Sequence, residues 1–330
     1  MTNQTTSAAA VQLADIQAAA KRIEGMAVRT PLLRSAVLDD LTGGTVLLKP
    51  ENLQRTGSFK FRGAFNTLSQ IPEADRPKGV VACSSGNHAQ GVAESARLLG
   101  MPATIVMPED APVIKLERTR AMGARVVTYK RGVEDRDQIA LGIREETDAR
   151  FVHPYNDPAV VAGQGTIGLE IAEQAKAMGL VPDVAVACTG GGGLSSGVAL
   201  ALSGMVPGIE FRTSEPEGFD DFSRSLVSGR IESNESASGS VCDAILTGEP
   251  GTLAFSILKE IAGAGLVVSD REALDAVAFA FRELKLVLEP GGAVALAAIL
   301  SGKLDIRGRI AAVVLTGGNV DPQMLQRALA

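Results

Sequence analysis

Short apolar runs rich in β-branched residues alternate with helix-length segments along most of the 330-residue chain. Seven runs of this kind occupy residues 45–49, 79–83, 103–107, 124–129, 183–188, 209–214 and 310–315. Apolar strands that are joined by helices form parallel sheets buried on both faces. The pattern therefore predicts an α/β fold with open, mostly parallel sheets flanked by helices, and ligand binding at the carboxyl ends of the strands.

The length exceeds what one hydrophobic core usually supports, so either two lobes or one large α/β unit is expected. The alternation breaks at residues 153–158, where two prolines stand in a polar turn. We expect a small domain at residues 79–155 and a large domain formed by residues 1–78 and 156–330. The chain would then leave the large domain and return to it.

Composition excludes several classes of partner. Tryptophan is absent, aromatic residues make up 4% and the net charge is −6, which disfavours a nucleic-acid partner. No apolar stretch approaches the ~18 residues that span a bilayer, so no membrane partner is expected. Three widely spaced cysteines and an N-terminus without a signal-peptide pattern predict a cytoplasmic protein.

Four consecutive glycines, Gly190, Gly191, Gly192 and Gly193, follow the predicted strand at residues 183–188. A glycine run lets backbone N–H groups converge, and the start of the next helix adds partial positive charge. The run therefore predicts binding of a phosphate or a carboxylate; a tight strand-to-helix turn is the plainer interpretation. The dinucleotide fingerprint fails, because serine stands where its third glycine is needed.

Residues 193–197 also match G-x-S-x-G, the nucleophile elbow of serine hydrolases, with Ser195 as nucleophile. That fold needs a histidine after the nucleophile, and both histidines, His88 and His153, come before it. A serine hydrolase thus remains one alternative function. A non-catalytic protein that binds a phosphate ligand is another.

Lys60 stands between Phe59 and Phe61 near an expected helix start, with Thr56 or Ser58 as the predicted cap. An apolar setting disfavours the charged amine and makes it a better nucleophile. A surface lysine that lays its stem along apolar neighbours is the structural alternative.

Two further segments carry polar side chains at predicted strand ends. Residues 83–93 give a strand, a polar turn and a helix start that suits a carboxylate, or else an ordinary helix cap. Residues 214–221 hold four acidic side chains that suit a hard cation, or else form a solvated turn. Thr316 ends the last predicted strand.

The motifs S-F-K-x-R-G, S-S-G-N-H-x-Q-G, G-G-G-G-L, E-P and G-G-N-V-D occur in this order between residues 58 and 321, within a resemblance that runs from about residue 30 to residue 321. Their ordered coincidence resembles the fold-type II pyridoxal-phosphate (PLP) enzymes, specifically the serine/threonine dehydratase and serine racemase family. The resemblance implies a two-lobed, tryptophan synthase β-like fold with pyridoxal 5′-phosphate as cofactor.

Site residues follow from the resemblance. Lys60 would form the Schiff base, Phe59 would pack beside the ring, and Asn87 would bind the ring hydroxyl. Thr316, a serine in many relatives, would face the ring nitrogen. Gly190 to Gly193 with Leu194 would cradle the phosphate. The substrate carboxylate would be held by Ser84, Ser85, Gly86, Asn87 and His88, and Ser85 would also exchange a proton on the face opposite Lys60.

The racemase-like members of the family also carry a divalent-cation site. The resemblance assigns its ligands to Glu215, the carbonyl of Phe219 and Asp221. Oxygen-only coordination suits Mg²⁺ or Ca²⁺.

The implied activity is a dehydratase, an ammonia-lyase acting on L-threonine, L-serine or a relative such as 3-hydroxyaspartate. It gives a 2-keto acid and ammonia, with Lys60 as general base and the cofactor phosphate as proton donor. A serine or aspartate racemase is the alternative on the same site. A homodimer or homotetramer is expected. Since little chain follows residue 321, we expect a catabolic or dedicated enzyme without a C-terminal regulatory domain.

Overall fold

The protein is described by a computed structural model that covers residues 11–84, 86–111, 113–236 and 238–330. The strands of these residues are β1 (Thr45–Pro50), β2 (Val80–Cys83), β3 (Ala103–Pro108), β4 (Arg125–Tyr129), β5 (Arg150–Phe151), β6 (Val184–Cys188), β7 (Glu210–Pro216), β8 (Leu266–Val268) and β9 (Ile310–Leu315). The α-helices are α1 (Leu13–Ile23), α2 (Ala36–Thr42), α3 (Lys60–Leu68), α4 (Asn87–Leu98), α5 (Val113–Ala121), α6 (Arg136–Thr147), α7 (Pro158–Ala177), α8 (Gly193–Met205), α9 (Asp221–Ser228), α10 (Thr252–Ile261), α11 (Asp270–Phe279), α12 (Pro290–Leu300) and α13 (Pro322–Leu329).

The strands form two sheets. One has five strands in the order β1-β9-β6-β7-β8, and the other has four in the order β4-β3-β2-β5. Every pairing between these strands is parallel. The predicted fold class is therefore confirmed. The four-stranded sheet draws its strands from residues 80–151, which agrees with the small domain expected at residues 79–155, although the domain limits themselves stay a prediction.

The centre of the five-stranded sheet is buried on both faces because the neighbouring strands β6 and β9 are apolar at every position. Along β6, Val184 and Val186 contribute to one core cluster, whereas Ala185 and Ala187 contribute to another. The first cluster includes most of the buried α12, and the second includes α8 and α10. Helices thus cover both faces of the sheet, as parallel strands require.

The carboxyl ends of the central strands meet at one edge of this sheet. The glycine run follows β6, Thr316 follows β9, and the segment after β1 leads through two short 3₁₀ turns to Lys60 at the start of α3. The edge therefore collects three of the motifs that the sequence singled out, whereas residues 83–93 follow β2 of the other sheet.

None of the helices in the described ranges is long and apolar enough to span a bilayer.

Candidate active site

Lys60 is the first residue of α3, and its amine donates a hydrogen bond to the carbonyl oxygen of Pro154 over 2.9 Å. The amine also lies 5.1 Å from the centroid of the Phe59 ring. Burial lowers the pKa of Lys60 to about 8. The sequence predicted this activated amine from its aromatic neighbours, and the geometry supplies one neutral hydrogen-bond acceptor for it.

The expected helix cap before Lys60 is wrong. Phe59 occupies the cap position in a helical conformation and makes no side-chain cap, while Thr56 lies in the left-handed region with φ 65°. The backbone instead joins the end of β9, because the Phe59 amide donates to the Thr316 carbonyl over 3.1 Å. This link fixes Lys60 and Thr316 as neighbours at one sheet edge.

The four glycines form a cradle that has no space for side chains. A Cβ at Gly190 would lie 2.8 Å from the carbonyl oxygen of Ile245, and one at Gly193 would lie 2.8 Å from Tyr155 Cα. At Gly191 a Cβ would overlap the Tyr155 ring, and Gly192 adds a positive φ of 86°. Leu194 anchors the start of α8 in the core. The backbone N–H groups and the helix start together suit a phosphate.

Asn87 begins α4 beside the four-stranded sheet, and its side chain bonds to the loops at the end of the other sheet. Its Nδ2 donates to Glu289 Oε1 over 2.6 Å, and its Oδ1 accepts from Asn319 Nδ2 over 2.7 Å. Burial raises the pKa of Glu289 to about 7. The amide is thereby oriented on two sides. Glu289 was missed by sequence reasoning; its only local signal was its position before Pro290 at a helix start.

The predicted substrate turn is described in part. The Gly86 amide donates to Ser84 Oγ over 3.2 Å, and Ser85 lies outside the described residues. The His88 ring is buried with Nε2 3.0 Å from the Val152 carbonyl, and burial together with the nearby Lys60 charge lowers its pKa to about 3. His88 is therefore a neutral core side chain. What it can offer a carboxylate is its backbone N–H at the start of α4.

Glu215 and Asp221 form the predicted acidic pair. Glu215 is buried and accepts from the amides of Phe222 and Ser223 over 2.9 and 2.7 Å. Asp221 Oδ1 accepts from Asn234 Nδ2 over 2.6 Å, and Asp221 Oδ2 has no partner within the described chain. Burial and the neighbouring carboxylate raise the pKa of Glu215; burial raises the pKa of Asp221 to about 6.

The acidic pair fits a hard cation in charge and donor type. The predicted set contains two side-chain ligands, since the Phe219 ligand is a backbone carbonyl. No cluster of three or more acidic, histidine or cysteine side chains that could hold a metal ion occurs in the described ranges. The two amide contacts of Glu215 also stabilise the start of α9, so Glu215 has a structural use as well.

The hydrolase alternative is wrong. Ser195 is fully buried, with Oγ 2.7 Å from Thr189 Oγ1 and a longer hydrogen bond to the Cys188 carbonyl. His88 is engaged with Val152, and His153 Nδ1 accepts from the Asn156 amide over 2.8 Å. Neither ring serves Ser195 as a base, and a buried hydroxyl cannot attack a substrate carbonyl.

Comparisons with known proteins agree with this geometry. The profile of one family, described as pyridoxal-phosphate dependent enzyme, matches residues 23–317. The L-threonine ammonia-lyase of Thermotoga maritima is 44% identical over 97% of this chain and 78% of its own length. The L-threo-3-hydroxyaspartate ammonia-lyase of a Pseudomonas species is 45% identical over 93% of this chain and 95% of its own.

Among solved structures, the T.th. threonine deaminase superimposes with a TM-score of 0.89 at 44% identity, covering 94% of this chain and 99% of that one. Serine racemases are also among the relatives.

Proposed function

The chain belongs to the family of pyridoxal-phosphate-dependent enzymes, and on that premise we propose that it is an ammonia-lyase for β-hydroxy amino acids. Its substrate would be L-threonine, L-serine or 3-hydroxyaspartate, and its products a 2-keto acid and ammonia. Two ammonia-lyases, 44% and 45% identical, support this activity. The structural observation that carries it is the half-buried Lys60, whose amine donates to the Pro154 carbonyl and whose neighbour Phe59 is hydrogen-bonded to Thr316.

The cradle of Gly190 to Gly193 would hold the cofactor phosphate, since each position excludes a side chain and α8 begins there. Phe59 would lie beside the ring, Asn87 would bind the ring hydroxyl, and Thr316 would face the ring nitrogen. When bound, pyridoxal 5′-phosphate supplies a conjugated ring that accepts the electron pair released at the substrate Cα.

Lys60 would remove the Cα proton as the general base. With a pKa of about 8, roughly a tenth of the amine is neutral at pH 7, far more than for an ordinary lysine. The Pro154 carbonyl accepts one N–H of this amine, and it thereby restricts where the nitrogen lone pair points. A base held within hydrogen-bond reach of its proton contributes about 10²–10⁴-fold.

The turn before α4 would hold the substrate carboxylate through backbone N–H groups and the Ser84 hydroxyl, which accepts from Gly86. Ser85 remains our candidate for the proton exchange on the opposite face. A racemase needs a functional group on each face of the substrate, and Lys60 and Ser85 would provide both. The products therefore decide between an ammonia-lyase and a racemase.

The test is a panel of hydroxy amino acids assayed for ammonia, keto acid and enantiomer composition. The PLP-loaded protein is expected to release ammonia. Borohydride treatment should abolish its visible absorption and leave the reduced cofactor attached to Lys60. Lys60→Ala should lower turnover about 10³-fold or more. Exposed Lys259 provides the control variant Lys259→Ala. Interconversion of serine enantiomers without keto acid would instead identify a racemase, and a colourless protein would contradict the proposal.

Three accessory properties belong to the same proposal. Mg²⁺ or Ca²⁺ would bind Glu215, the Phe219 carbonyl and Asp221, and the free Asp221 Oδ2 supports this set. A homodimer or homotetramer is supported by the exposed apolar side chains of Leu53 and Val287, which a subunit contact could cover. The two residues are near each other, since Asn52, next to Leu53, donates a hydrogen bond to the Val287 carbonyl. A cytoplasmic location is consistent with three free, buried cysteines.

A further inference from the structure

Four charged side chains lie together in the interior behind the first turn of α3. Lys49, Glu51 and Arg62 are each fully buried, and Glu170 is 9% exposed. Their formal charges cancel. Each comes from a different element: β1, the 3₁₀ turn after it (Glu51–Leu53), α3 and α7.

Arg62 occupies the centre of this cluster and bonds to both carboxylates. Its Nε and Nη2 donate to Glu51 over 2.7 and 2.8 Å. Its Nη1 and Nη2 donate to Glu170 over 2.6 and 3.0 Å, and Thr166 and the Val28 carbonyl accept further hydrogen bonds from it. Both contacts are bidentate, which fixes the orientation of the guanidinium plane.

Lys49 is the second cation. Its Nζ donates to Glu170 over 2.5 Å, to the Thr30 carbonyl over 2.7 Å and to Gln174 Oε1 over 2.9 Å. All three ammonium donors are therefore used, and Glu170 binds both cations. The cluster joins β1 and α7 directly as well as through α3.

Near this point α3 also approaches α7 and α4 closely through glycines. A Cβ at Gly163 of α7 would lie 2.6 Å from the Cα of Gly63, so the two helix backbones touch. On the other side, a Cβ at Gly91 of α4 would lie 3.1 Å from the backbone of Lys60. Glycine contacts of this kind permit close approach but offer few projections against sliding.

Two neutral hydrogen bonds also join α3 to α7, from the Gly63 amide to Gln164 Oε1 and from Asn66 Nδ2 to the Ala159 carbonyl. The ion cluster adds charged, bidentate contacts that hold α3 to α7 and to the turn after β1 at once.

Replacement of a buried ion cluster by apolar groups of similar volume often leaves a protein as stable or more stable. What such groups do not reproduce is the directional geometry of bidentate ion pairs. We propose that the cluster of Lys49, Glu51, Arg62 and Glu170 sets the register of α3 against β1 and α7, and that its members are thereby positioning residues for Lys60. The inference rests on the proposed function for its kinetic readout.

Lys60 is two residues from Arg62 on the same helical turn, so a shift of the helix moves the amine with it. A displacement of 1 Å at a reacting group can cost about 10²-fold in rate. We therefore expect the cluster to affect turnover far more than substrate affinity or stability.

The decisive experiment replaces the whole cluster with neutral groups: Lys49→Met, Glu51→Gln, Arg62→Met and Glu170→Gln in one protein. Its unfolding temperature is expected to stay within a few degrees of wild type, whereas kcat falls about 10²-fold with KM nearly unchanged. The circular dichroism of the visible cofactor band, which reports how Lys60 holds the chromophore, should weaken. A folded variant with wild-type kcat and wild-type dichroism would overturn the proposal.

Single variants test the same proposal if the fourfold variant does not fold. Arg62→Lys keeps the charge but removes the bidentate contacts, and should lower kcat and the dichroism. Glu170→Gln is compared with Glu173→Gln, one turn further along α7, where Glu173 pairs with Arg29 at the surface. Only the first should change the two readouts. If no substrate is turned over by wild type, the proposed function fails, while the dichroism still tests the positioning role.

Discussion

The amine of Lys60 donates a hydrogen bond to the carbonyl oxygen of Pro154, 2.9 Å away. Lys60 follows the edge strand β1 of the five-stranded sheet, and Pro154 follows the edge strand β5 of the four-stranded sheet. The acceptor is neutral, so it does not offset the desolvation that lowers the pKa of the amine to about 8. The amine is thus both held in place and available as a nucleophile or a base.

The first prediction concerns the reaction of Lys60 with added PLP in the cofactor-free protein. Only the neutral amine attacks an aldehyde, so the rate should rise with pH and level off above about pH 8, where the folded amine has lost its proton. Stopped-flow absorbance measures this rate. Nα-acetyl-lysine is the control because its ε-amine is its single amine, and its rate should rise near the ordinary lysine pKa of about 10.4. A protein profile that still rises at about pH 10 would contradict the lowered pKa.

The second prediction concerns Tyr155, whose ring and backbone lie against Gly191 and Gly193. Tyr155→Ala should weaken PLP binding about tenfold or more, because truncation leaves a cavity behind the cradle. Tyr155→Phe retains the ring and should bind PLP as wild type does. Titration of the cofactor band gives both dissociation constants. Equal affinity in the alanine variant would show that the cradle needs no such support.

The third prediction concerns the neutral hydroxyl of Thr316. An acidic partner would keep the ring nitrogen protonated and strengthen the electron sink. A stronger sink prolongs the lifetime of the carbanion, which favours proton exchange over loss of the β-hydroxyl. Thr316→Asp should therefore lower the rate of ammonia release relative to the rate at which the substrate Cα proton exchanges with deuterium, and NMR measures both rates. Thr316→Ser keeps a hydroxyl and should keep the wild-type ratio. Faster ammonia release in the aspartate variant would count against this account.

Much of the fold was predictable because its strands are continuous apolar runs. All seven predicted strands are present. The two that were missed, β5 and β8, have two and three residues, which is too short for a hydrophobic pattern to stand out from a loop. The family and the PLP cofactor predicted from the ordered motifs are confirmed.

The parts of the candidate site that lie within one short sequence motif were predictable. The parts that form where distant segments meet were not. The glycine cradle and Lys60 are each local. Glu289 and Tyr155 were not assigned, because the contact of Glu289 with Asn87 spans 202 residues and Tyr155 meets the glycines only through folding. The place of His88 in the substrate turn stays a prediction, through its backbone N–H. Its side chain is turned into the core, and a single sequence does not show in which direction a helix face next to a turn points.

The last prediction concerns the acidic pair. Burial and the Asp221 carboxylate raise the pKa of Glu215, and burial raises the pKa of Asp221 to about 6. Asp221 Oδ2, which has no partner within the described residues, is a ready ligand. Millimolar Mg²⁺ or Ca²⁺ should raise the unfolding temperature at about pH 7.5 by a few degrees, because a ligand that binds only the folded state stabilises it. Asp221→Asn should remove this gain, while Glu217→Gln, at an exposed neighbouring position, should retain it. Scanning calorimetry with and without chelator measures the shift. An equal gain in the asparagine variant would place the cation elsewhere, and no gain in wild type would leave Glu215 with only its structural role at the start of α9.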